Sequence, residues 1–312
     1  MAAEGFDHSM NRFKHSGFPK ARRRVSVRSA LFLIMIAFGV VMLCSSMRVL
    51  LPGMGAGFSL ALSALATVAG FGMPAYLGIC LIDGDQRRMV PMHALGRAQI
   101  LHLTSLGVLF VCPASLATDM LSALLARMGF AQAAASSAPG LGLFLPALIQ
   151  SVLLAPVCEE LFFRGYLVGA LRPYGQRSAV LAAAAAFALI HDLSPALAAH
   201  FALGCLLALM MVKTGSILAP MLIHASYNFT VLVLAFSGLE RFVTGSGIFA
   251  CLLRLLGCAA FALALKRAYA LRMQRAVVQL QGKTAFSRRE KALLIAAGIA
   301  LLAAMIVSGV TA

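Results

Sequence analysis

The 312-residue chain is 61% hydrophobic and only 12% charged, where a water-soluble domain carries about 25% charged and about 45–50% apolar residues. Ordinary globular, disordered and disulfide-scaffold classes are thereby excluded, leaving a polytopic helical membrane protein. The formal charge of +16 has no basic, aromatic-interleaved soluble domain that could bind nucleic acid. It points instead to loops that set membrane topology.

Residues 1–28 form a basic tail. The apolar run at about 30–51 is too long for a signal-peptide core and reads as an uncleaved signal anchor. Further spans are predicted at about 57–82, 98–118, 141–171, 178–191, 196–212, 216–236, 246–265 and 292–310. The total is about eight to nine, the short pair at 178–212 being the undecided element. This divides the chain into the tail (1–28), N-terminal helices (29–130), a core (141–236) and C-terminal helices (246–312). A small-residue linker occupies 131–140, and a basic segment, 266–291, lies within the C-terminal part. That segment suits either an amphipathic helix on an anionic leaflet or a solvated topology-fixing loop.

Charge tests the topology. With the N-terminus inside, the segments 1–28, 83–97, 172–177, Lys213 and 266–291 all fall on the inner side and hold 21 of the 26 basic residues. The opposite orientation would place those 21 outside, against the positive-inside tendency. The seven cysteines lie in or beside apolar runs, with no CxxC pair, and read as small buried hydrophobes.

The fourth span carries Glu159, Glu160 and Arg164 inside an apolar helix. At about 2.5–3.5 kcal/mol each near the bilayer centre, such groups are tolerated when they pair or face a hydrated cavity. Glu160 and Arg164 stand four residues apart and can form an ion pair on one helix face. A structural clamp accounts for those two but leaves Glu159, about 100° away, without a partner. An unpaired intramembrane carboxylate points to function. The 178–190 run is about 20 Å of helix, short for a crossing of about 30 Å. Ser194-Pro195 restarts a helix after it. The hairpin tip is therefore expected below the far surface, with His191 in a cavity. His224 and Asn228 share one face of the seventh span.

Glu159-Glu160-x-x-x-Arg164, Phe187-x-x-x-His191 and His224-x-x-x-Asn228 together resemble the CPBP family, which includes type II CAAX prenyl proteases and bacterial Abi-type proteins. Phe163-Arg164-Gly165-Tyr166-Leu167, Thr214-Gly215-Ser216-Ile217 and Pro220 add to the likeness, which covers about 145–235. The resemblance implies peptide-bond hydrolysis inside the membrane, acting on a peptide or membrane-protein substrate. Glu159 would activate water with His191 positioning it, while His224 and Asn228 would donate to the oxyanion. Glu160 and Arg164 would support the helix. In a metal-dependent version Glu159, His191 and His224 would hold zinc; the metal-free version, with no cofactor, is favoured.

Cys158 diverges by about 100° from Glu159 on the helix and is not expected to act as a nucleophile. His102 and His200 are read as packing or cavity-lining residues, His200 also as a candidate for site lining across the hairpin from His191, and Arg254 has no evident partner. The composition and basic tail suit an integral protein of a bacterial inner membrane with its N-terminus in the cytoplasm. Such a source favours peptide maturation or bacteriocin self-immunity over a prenylated substrate. The alternative is a non-catalytic scaffold or immunity protein retaining the polar core. A transporter would call for duplicated halves with broken helices, and none is evident. The sequence leaves the oligomeric state open.

Overall fold

The computed structural model describes residues 27–83, 89–128, 140–191, 194–245 and 247–270. The described residues are helical, with no strand among them. The helices are α1 (Val27–Leu50), α2 (Gly55–Cys80), α3 (Arg97–Arg127), α4 (Leu141–Tyr174), α5 (Gln176–His191), α6 (Leu197–Thr214), α7 (Leu218–Ser237) and α8 (Ile248–Ala270). All except α5 are long and apolar enough to cross a membrane, which makes seven among the described residues. The chain is a polytopic all-α membrane protein. The expected ninth span (292–310), the tail to residue 26, nearly all of the 131–140 linker and the basic segment beyond residue 270 lie outside the described residues.

The third helix differs from the sequence reading. It runs on to Arg127 rather than ending near residue 118. Asp119, which interrupts the apolar run, is paired with Arg254 of α8, so the helix continues through it. The same guanidinium reaches the Gly245 carbonyl at 3.0 Å, which gives Arg254 the partners its sequence did not reveal.

The α5–α6 pair forms the anticipated hairpin, but only α5 is short, and α6 is long enough to cross a membrane. Helix α5 has 16 residues and its middle is nearly all alanine, so its partner can approach closely. At the contact, a Cβ on Gly204 of α6 would lie 2.9 Å from the Ala184 Cα. Past the tip, Ser194 Oγ accepts the Ala196 N–H at 3.2 Å, and α6 begins at Leu197. Helix α6 stops at Gly215, whose φ of 66° suits a residue without a Cβ.

Helix α4 is irregular where it carries its charges. Wider π-helical stretches, Ile149–Leu154 and Leu161–Leu167, flank the regular turn Ala155–Glu160. Pro156 lies in that turn and has no N–H to give the ladder. π-Bulges inside α-helices accumulate at functional sites.

Contacts between ends fix which loops share a face. The Ile217 N–H donates to the Pro91 carbonyl at 2.9 Å, and Ser216 Oγ to the His93 carbonyl at 2.8 Å. Lys213 Nζ donates to the Tyr269 carbonyl at 2.5 Å. The 89–93 segment, the α6–α7 turn and the end of α8 therefore meet at one end of the bundle. This is the grouping the charge count required.

Candidate active site

Helices α4, α5 and α7 bring the three polar motifs together at the level of the hairpin tip. Glu160 is fully enclosed, and its Oε1 accepts from two directions. Arg164 Nη1 donates to it at 2.8 Å along the same helix, and His224 Nδ1 at 2.9 Å from α7. Arg164, equally enclosed, also donates to the Gly204 carbonyl at 3.2 Å, and its guanidinium sits 4.6 Å from the Phe187 ring centre. The close α5–α6 approach at Gly204 is what brings that carbonyl within reach. The charge pair is thus tied to all four helices of the core.

Glu159 faces the other way from this clamp. Its Oε2 lies 3.4 Å from His191 Nε2 and 4.0 Å from His224 Nε2, and it makes no hydrogen bond. Both imidazoles are oriented by their other nitrogen. His191 Nδ1 donates to the Phe187 carbonyl at 2.7 Å, and His224 Nδ1 donates to Glu160. A carbonyl and an Arg-paired carboxylate can only accept here, so both protons sit on Nδ1. Each Nε2 is left facing Glu159, as an acceptor in the neutral ring or a donor in the imidazolium. The His191 side chain is 24% exposed against 7% for Glu159 and 3% for His224, so the cluster opens on the His191 side.

Asn228 stands one turn beyond His224, and its Nδ2 donates to the Ser151 carbonyl at 2.8 Å. One amide hydrogen is therefore committed to the α4 backbone and the other is free of that bond. Cys158 is buried with its Sγ against α2, 3.2 Å from where a Cβ of Gly72 would lie. His102 is bonded to its own helix, with Nδ1 2.6 Å from the Ala98 carbonyl.

Two contacts were not evident from spacing. One is the Glu160–His224 bond, which joins residues 64 positions apart and makes Glu160 part of the histidine's setting. The other is His200, whose ring centre lies 4.7 Å from that of His191 and whose Nδ1 is buried without a hydrogen bond. The spacing from His191 around the hairpin was the only signal for it.

The donor chemistry would suit zinc, because each histidine gives its Nδ1–H to an acceptor and turns Nε2 inward. The described residues nevertheless contain no group of three or more His, Cys, Asp or Glu side chains placed to hold a metal ion.

With this geometry in hand, comparison with known proteins gives one family. Residues 141–230 match the model described as type II CAAX prenyl endopeptidase Rce1-like. The match spans α4 through most of α7, the helices that carry all three motifs. No curated protein and no solved structure matches the chain significantly. The fold and the match together define an integral membrane protein with a core similar to CAAX-type membrane endopeptidases.

Proposed function

We propose that the chain is an intramembrane endopeptidase in which Glu159 activates water. The carrying observation is the unpartnered Oε2 of an enclosed Glu159 facing the Nε2 atoms of two oriented histidines. Glu160 Oε2 is likewise buried without a hydrogen bond, so what sets Glu159 apart is its place beside two inward-turned Nε2 atoms on the open side of the cluster.

The chemistry follows from the atoms. A water between Glu159 and His191 gives one proton to Glu159 Oε2, and its oxygen adds to the scissile carbonyl. The oxyanion takes hydrogen bonds from His224 Nε2–H, when that ring carries both protons, and from the free amide hydrogen of Asn228. Glu160 compensates the charge on His224 at that stage. Collapse of the adduct breaks the C–N bond, and the proton held by Glu159 passes to the leaving nitrogen. Glu159, His191 and His224 have the donor types for a divalent metal but are not placed as a three-ligand site among the described residues. No step above depends on a metal.

Activity is tested by incubating isolated membranes with the purified protein in 18O-labelled water. New C-termini carrying 18O are expected with the wild type and not with Glu159→Gln. Equal labelling with both proteins contradicts the assignment. The same assay with a chelator present measures metal dependence directly.

A further inference from the structure

We infer that water reaches Glu159 through a polar groove between α2, α4 and α7, entering at the end of the bundle that carries Arg48. The inference rests on the hydrolytic reading, since a hydrolase in a bilayer needs a supply of water at its carboxylate.

Three contacts that cross between helices mark the groove. Arg48 Nη1 donates to Ser63 Oγ at 3.4 Å, Gln150 Nε2 to Thr67 Oγ1 at 3.4 Å, and Asn228 Nδ2 to the Ser151 carbonyl at 2.8 Å. They run in order from the end of α1 to one turn from His224. Polar side chains between membrane helices are often adhesive and nothing more. Here, however, Ser63, Gln150, Ser151 and Asn228 are all partly exposed, with Thr67, 4% exposed, the enclosed member of the line. Among the described residues, the side-chain oxygens of Gln150 and Asn228 receive no hydrogen bond. Gln150 stands nine residues into α4, about 14 Å along the helix. At that depth lipid offers no hydrogen bond, so exposed amide oxygens call for water.

Among the described residues, the opposite end is closed. Met89 is 4% exposed, and the bonds to Ser216 and Ile217 strap its segment onto the α6–α7 turn. Phe162, Phe163 and Tyr166 are fully enclosed and fill α4 between Glu160 and that end. A polar, partly open side and an aromatic, strapped side place this route at the Arg48 end, in addition to the opening beside His191.

The test is thiol accessibility in lipid nanodiscs, where both faces meet solvent. Ser63→Cys and Ser151→Cys are near-isosteric changes at partly exposed positions, and Ala170→Cys reports the closed end. A cationic, membrane-impermeant thiosulfonate is the probe. Labelling is read by peptide mass spectrometry, so the seven native cysteines stay in place. The groove thiols are expected to react about tenfold or more faster than Cys at position 170, as water-facing sites should. In addition, Gln150→Leu is expected to slow labelling of Ser151→Cys by placing an apolar plug on the approach to it. Groove thiols no faster than the Ala170→Cys control overturn the inference. Labelling needs no turnover, so an unreactive groove in an active protein refutes the route alone. A reactive groove in a protein without hydrolytic activity supports the route and refutes the endopeptidase reading.

Discussion

Glu160 receives both Arg164 and His224 inside an enclosed site, so neutralising it strands two donors at once. Glu160→Ala is expected to lower stability by about 3–5 kcal/mol, the usual consequence of breaking a buried ion pair from one side. Glu159→Gln removes a buried carboxylate whose Oε2 has no hydrogen bond, and the unfolding midpoint in detergent should stay at or above the wild-type value. Midpoints for the two variants that fall together would show that both carboxylates are structural. Asn228 divides differently between the two roles. Losing its bond to Ser151 in Asn228→Ala should cost only about 0.6 kcal/mol, the average for hydrogen bonds between membrane helices. Loss of an oxyanion donor costs about 10²–10³-fold in rate, so turnover should fall far more than stability. The Glu160–Arg164 pair was legible because helical spacing alone puts positions four apart on one face. The Glu160–His224 bond was not legible, because it depends on how α7 is rotated against α4.

At the scale of the helix, the α5–α6 hairpin positions His191, and its close contact holds the Gly204 carbonyl where Arg164 reaches it. Gly204→Val puts a branched side chain where even a Cβ is 2.9 Å from the Ala184 Cα. Overpacking of this kind costs about 1–3 kcal/mol. Thermal unfolding should show that loss, and processing should fall with it because both Arg164 and His191 lose their setting. A variant with wild-type activity would mean the hairpin does not position the site. The shortness of α5 was readable from its apolar run and from Ser194-Pro195. The full length of α3 was not, because Asp119 looks like a terminator until Arg254 of a distant helix neutralises it.

Across the whole molecule, the basic loops gather as their charges demand: residues 89–93, the α6–α7 turn and the end of α8 touch one another. Those contacts fix relative sides, while the positive-inside tendency proposes which side is cytoplasmic. In intact cells, an impermeant thiol reagent should therefore label Leu239→Cys and spare His93→Cys. The reverse pattern would invert the topology without altering the site. Hydropathy sufficed for the fold class because a span of about 20 apolar residues is a strong signal. The site was legible as three motifs, since charged and imidazole groups stand out in an apolar chain. The groove along Ser63, Thr67 and Gln150 was silent, because hydroxyl and amide residues are common in membrane helices and only their alignment across α2, α4 and α7 distinguishes them.

The central claim is that Glu159 performs hydrolysis within the membrane. Its most direct measurement is the set of protein termini in membranes from cells carrying the wild type or Glu159→Gln at matched abundance. The wild type is expected to generate termini within or beside membrane segments that are missing from the Glu159→Gln cells. Identical sets of termini in the two would contradict the account.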